Sequence, residues 1–140
     1  MVLYMRSFFL AVLLAAGAAA GCSKSEKAST TEAQKIATVT VDEVDRQLAA
    51  GDCVAVDANG EGTRKKMGIV PGAVLLASSE DISALPPDKS KHLVFYCANT
   101  HCGASHEAAE KARLAGYTHV RVMPEGIAGW VKAGKRVQQI

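Results

Sequence analysis

Two cysteines and two histidines, Cys97, His101, Cys102 and His106, lie close together in the stretch VFYCANTHCGASHEAAEKA, residues 94–112. Four chemistries are open to such a set. A thiolate at Cys97 would be a nucleophile. Cys97 and Cys102 could close a short disulfide if their Cα atoms come within about 7 Å, or Cys102 could resolve an oxidised or persulfidated Cys97. The four side chains have metal-ligand chemistry, with Cys102 and His106 at i, i+4 on one helix face. A tight loop does not readily fold four side chains around one ion, however, so no metal is expected and both histidines read as polar surface residues. In the last reading, Cys102 simply fills space at the first turn of a helix.

The flanking elements say what positions these residues. His92-Leu93-Val94-Phe95-Tyr96 is apolar enough for a buried strand. Gly103 to Ala115 has small or apolar residues at 104, 108, 109, 112 and 115 and closes on Gly116, which predicts a helix. Cys97 therefore sits between a strand end and a helix start. Helix-start amides lack intrahelical partners, and with the helix dipole they favour an anion. A thiolate there would have a lowered pKa and be reactive. The alternative is a buried, inert cysteine acting as a small hydrophobe. Thr100 and Ser105 could donate to a sulfur anion or act as ordinary caps.

The rest of the chain alternates in the same way. Thr40 followed by Glu43 has the form of a capping box, Val41, Val44 and Leu48 recur at helical spacing, and Gly51 ends the helix. Cys53 to Val56 reads as a buried strand, with Cys53 in the core, and Asp57-Ala58-Asn59-Gly60 is turn chemistry. Asp57 could orient loop amides at the strand end. The basic run after it reads as solvated. Pro71-Gly72 turns into a strand at 73–76, 78–88 is a polar surface loop, 120–123 a strand, and 127–133 a short helix carrying Trp130 as a core residue. This pattern predicts an α/β domain, a small mainly parallel sheet flanked by helices. Such sheets place ligands at the carboxyl ends of their strands, where Cys97 falls.

The amino-terminal region is of a different kind. Residues 1–21 carry Arg6 and then an apolar run, Phe8 to Ala20, too short to span a bilayer and typical of a signal peptide. Ala19-Ala20-Gly21-Cys22 resembles a bacterial lipobox. That resemblance implies lipidation of Cys22 and a protein anchored to a membrane in the cell envelope, on its periplasmic or extracellular side. The alternative is an ordinary signal peptide that leaves Cys22 a plain thiol. Residues 22–38, rich in Ser, Thr, Lys, Glu and Ala, read as a flexible tether, which leaves 39–140 for one domain. The net charge of +2 forms no basic stripe, so nucleic acid is not an expected partner. Cys53, Cys97 and Cys102 are an odd number, so at least one thiol stays free or pairs outside the chain.

Several ordered motifs across 39–140 resemble the rhodanese-like family: VAVDAN, GIVPGAVLL, VFYC with its loop and helix, and AGYTHVRVMPEGIAGWVKAGKRV. The resemblance implies a small α/β sheet wrapped by helices. It also implies Cys97 as the sulfur-accepting nucleophile, no cofactor, and an active-site loop of Ala98, Asn99, Thr100, His101, Cys102 and Gly103 whose amides hold the persulfide. Its partners would be a small sulfur donor and a thiol acceptor. The chain departs from the family at Asn59, where Arg is common, at Ile69, where His is common, and at Cys102, where Arg is frequent. Thiosulfate would thus meet amides and His101 rather than a guanidinium fork. Gly103 stands where the related phosphatases carry Arg, so phosphatase activity is not implied. Three roles follow: a persulfide-forming sulfurtransferase, a thiol–disulfide module using Cys97 and Cys102, or a catalytically inactive domain that binds a protein partner.

Overall fold

The computed structural model describes residues 35–140, so the expected signal peptide, most of the tether and Cys22 lie outside the described residues. Thr40 opens the first helix: its side chain accepts from the Glu43 amide at 3.3 Å, and α1 (Val41–Ala50) ends at Gly51 with φ of 73°. Only half of the expected capping box forms. The Glu43 carboxylate accepts from Gln47 and Arg121 instead, because Arg121 on the sheet supplies a charged donor.

The sheet has five parallel strands in the order β1-β5-β4-β2-β3. Its members are β1 (Ala37–Thr38), β2 (Val54–Asp57), β3 (Val74–Leu75), β4 (His92–Tyr96) and β5 (His119–Val122). Strand β1 was not expected, because Ala37 and Thr38 fell within the tether. They pair with Arg121 and Val122, an edge addition that two small exposed residues do not announce.

Alternation along the central strands fills two cores. Val56, Leu93, Phe95 and Val122 pack against Ala108, Ala109 and Ala112 of α3 (Ala104–Leu114). Ala55, Val94 and Tyr96 pack against Val41 and Val44 of α1 and against Ile127 and Trp130 of α4 (Gly126–Lys132). Central strands β2 and β4 are therefore covered on both faces, which explains their near-continuous apolar runs.

The segment read as a solvated basic run forms α2 (Glu61–Met67), and its Arg64 is buried. The Arg64 Nε donates to Asp57 Oδ1 at 3.1 Å, and the terminal Nη2 donates to the carbonyls of Asp57 at 3.0 Å and Leu76 at 2.8 Å. One guanidinium thus ties α2 to the ends of β2 and β3. Pairing with a carboxylate and two carbonyls is what allows a buried arginine. The polar loop 78–91 contains no helix; side-chain turns at Asp81 and Asp88, each accepting from the amide two residues on at 2.9 Å, hold it.

Candidate functional site

Strand β4 lies at the centre of the sheet and delivers Cys97 at its carboxyl end, with Cys97 2% exposed. The chain then makes a tight loop. The Asn99 carbonyl accepts from the Cys102 amide at 3.1 Å, and the Asn99 side chain accepts from the His101 amide at 2.9 Å. This double turn brings the Cα atoms of Cys97 and Cys102 to 6.3 Å, and the two cysteines form a disulfide. Cys102 is half-buried, whereas Asn99, Thr100, His101 and Gly103 are exposed and Ala98 is intermediate.

The loop is held from below by α4. The Ile127 and Ala128 amides donate to the Cys97 and Ala98 carbonyls, each at 2.9 Å. These are orphan amides of a helix start satisfied by the loop backbone. Gly126 makes the approach possible: its φ is 61°, and a Cβ there would lie 2.5 Å from the Cys97 carbonyl oxygen. Side-chain-bearing residues adopt that φ only with strain.

The Cys97 sulfur meets the Cys102 carbonyl oxygen at 3.3 Å and the Ser105 Oγ at 3.5 Å. Among the described residues no main-chain N–H donates to it, so the amide cradle expected around this sulfur is not formed in the disulfide state. Ser105 is buried and close enough to donate to a sulfur anion; Thr100 is exposed. His101 and His106 are both exposed, and among the described residues no three His, Cys, Asp or Glu side chains are placed to hold a metal ion.

Asp57 does not reach the loop 98–103. Its Oδ1 accepts from the Asn59 amide at 2.7 Å and from Arg64. Its influence passes instead to Tyr96, the residue before Cys97. Burial, then the charge of Asp57, raises the Tyr96 hydroxyl well above its ordinary value. The neutral hydroxyl accepts from the Val70 amide at 3.0 Å. Asp57 thus ties the end of β2 to α2 through Arg64 and makes no hydrogen bond to the loop.

Asn59, where Arg is common in the resemblance, is buried with no partner for its side-chain amide nitrogen. The guanidinium beside Asp57 comes from Arg64 on the next helix. The only sequence signal for that was a basic residue one short helix after an acidic strand end. Cys53 is half-buried and free, at the opposite end of the sheet from Cys97.

Fold and site together define a class: a parallel α/β domain that presents a cysteine loop between its central strand and the following helix. A family model described as Rhodanese-like domain matches residues 40–133, and the chain belongs to that family. A Rhodopseudomonas palustris protein of unknown function, named as a possible tyrosine phosphatase, is 25% identical over 74% of this chain and 85% of its own, with TM-score 0.63. The human single-domain sulfurtransferase TSTD1 is 23% identical over 70% of this chain and 97% of its own, with TM-score 0.59. A thiosulfate sulfurtransferase from Pseudomonas aeruginosa is 20% identical, the match covering 74% of this chain and 20% of that one, with TM-score 0.59. At such identities the last two likenesses are of fold. No curated protein matches the chain.

Proposed function

We propose that this protein is a membrane-tethered sulfur carrier in which Cys97 forms a persulfide and Cys102 resolves it. The observation that carries this reading is the Cys97–Cys102 disulfide at the carboxyl end of the central strand of a rhodanese-like domain. Sulfurtransferases among the proteins of like fold support the sulfur chemistry. Lipidation of Cys22, which would hold the domain in the cell envelope, belongs to the same proposal and rests on the lipobox resemblance.

In the loading step the Cys97 thiolate attacks the outer sulfur of a sulfane donor RS–SH. A Cys97 S–SH bond system forms and RS⁻ leaves. In the presence of a thiol acceptor the outer sulfur moves on and the Cys97 thiolate returns. Without one, the Cys102 thiolate attacks the inner sulfur of Cys97, the disulfide forms, and HS⁻ leaves. An external dithiol then reduces the disulfide and is itself oxidised. Ser105 Oγ is near enough to donate to the charged Cys97 sulfur in the open state.

The disulfide also favours a second reading, a thiol–disulfide module without sulfur transfer. Intact mass spectrometry of the reduced full chain, treated with polysulfide or thiosulfate, separates the two. The sulfur-carrier reading expects Cys102→Ser to accumulate one added sulfur and Cys97→Ser to take up none. Loss of two hydrogens with no sulfur gain in any variant identifies the redox module. Sulfur uptake that survives in Cys97→Ser overturns the assignment of Cys97.

A further inference from the structure

The amino-terminal ends of the strands carry a second group of metal-ligating side chains, remote from the cysteine loop. His92 on β4 and His119 on β5 are register partners. Adjacent strands lie about 4.8 Å apart, and register partners in a parallel pair point to the same face. Accordingly the two imidazoles stand side by side, with ring centroids 4.2 Å apart and planes within 10°. Both are exposed and line the same groove, of about 460 Å³, with Gln47, Thr118 and Arg121. His92 begins β4 and Cys97 follows its end, so at ~3.3 Å per residue the pair lies about 16 Å from the disulfide.

A hydrogen-bond contact holds one ring in place. The Thr118 hydroxyl donates to the Lys89 carbonyl at 3.3 Å. Its oxygen lies 2.9 Å from His119 Nδ1; the Nδ1–H tautomer would donate to it and leave Nε2 as the ligating nitrogen. A ligating imidazole is characteristically prepared this way, one nitrogen held by an oxygen and the other free for a metal.

We propose that His92 and His119 form an open two-nitrogen site for a divalent transition metal of the zinc class, with water completing the coordination. Two nitrogens at 2.0–2.1 Å from one tetrahedral ion are ~3.4 Å apart; the rings, stacked with centroids 4.2 Å apart, must turn out of the stack so that their in-plane lone pairs converge, which their exposure allows. Imidazole suits Zn²⁺, Cu²⁺ and Ni²⁺, whereas hard oxygen-seeking cations gain little from it. Asp52 and Asp88, with Lys91, lie on the neighbouring wall, which His92 also lines. Arg121, which lines the groove, is engaged by Glu43 and Gln47. Among the described residues no third strong ligand converges there, so the ion would exchange readily rather than be locked in.

The test uses the full chain in detergent with Cys97–Cys102 oxidised and with Cys22→Ser and Cys53→Ser, so that no free thiol competes. Zn²⁺ alone is titrated calorimetrically. One ion per chain is expected. His92→Gln or His119→Gln should each weaken binding at least tenfold, Thr118→Val should weaken it by roughly 10- to 100-fold through loss of the hydrogen bond that orients His119, and the paired His101→Gln, His106→Gln variant should bind as the parent does. NMR of the parent serves as a second readout that needs no substitution at the site: the ring protons of His92 and His119 should shift first. No Zn²⁺ uptake, uptake that survives both single substitutions, or first shifts at His101 and His106 would each overturn the proposal.

Discussion

Arg64→Met removes one guanidinium from the junction of α2 with the sheet while leaving an apolar stem of similar length. In the parent that guanidinium makes three hydrogen bonds, to Asp57 Oδ1, the Asp57 carbonyl and the Leu76 carbonyl. Asp57 is 0% exposed and would keep only the Asn59 amide on its Oδ1. Breaking a buried ion pair from one side costs about 3–5 kcal/mol, because the surviving charge is left uncompensated. Domains of this size are stable by about 5–15 kcal/mol, so the variant loses roughly a fifth or more of its margin. At ~4–8 °C per kcal/mol the unfolding midpoint should fall by at least about 12 °C. Urea unfolding with the disulfide intact measures the cost directly, and the cycle with Asp57→Asn isolates the pair. The double variant should be more stable than the sum of the single costs predicts, by about 1–3 kcal/mol. A single-variant cost below ~1 kcal/mol, or additive costs in the cycle, would refute the view that a buried ion pair anchors α2.

Three further outcomes follow from the same structure. Gly126→Ala should destabilise the domain by at least ~2 kcal/mol, from a positive φ and a Cβ forced against the loop backbone; a parent-like urea midpoint would show that the loop yields freely. Reducing the disulfide should lower stability by ~2 kcal/mol, the loop entropy of so short a ring, which paired urea curves with and without reductant measure; equal midpoints would count against a constraint on the unfolded chain. Burial raises the Cys53 thiol above its ordinary value, with Arg121 opposing and Asp52 adding. Its folded-state value therefore exceeds the unfolded one, so its contribution to stability is present below the unfolded value and is lost as pH rises through the folded one. Alkylation of Cys53 should be slower in the native protein than in urea at mildly alkaline pH, and equal rates would contradict the burial.

Local pattern made much of the architecture legible. The run His92–Tyr96 is a strand with the expected bounds, and the spacing of small residues from 104 to 112 marks the buried face of α3. Thr40 and Gly51 bracket α1 as caps whose effect lies within a turn of chain. The ordered motifs named the family, which the match over 40–133 shows. Short segments whose structure depends on distant partners were not legible. Ala37 and Thr38 have no apolar pattern, and become a strand only because β5 presents an open edge to them. Arg64 reads as one of three consecutive basic residues, and only the position of Asp57 in space singles it out for burial.

The site divides along the same line. Sequence by itself determined that a cysteine follows a strand and precedes a helix, and that a second thiol lies five residues on, because strand, turn and helix signals are local free energies of neighbouring residues. Only the tertiary structure decided what those thiols meet. The turn through Asn99 brings Cys97 and Cys102 into a disulfide, α4 clamps the loop through Ile127 and Ala128, and Ser105 comes to the buried sulfur. Each of these depends on the path of the chain between residues that share no periodicity. The stacking of His92 on His119, far apart in sequence, likewise exists only through the register of two parallel strands.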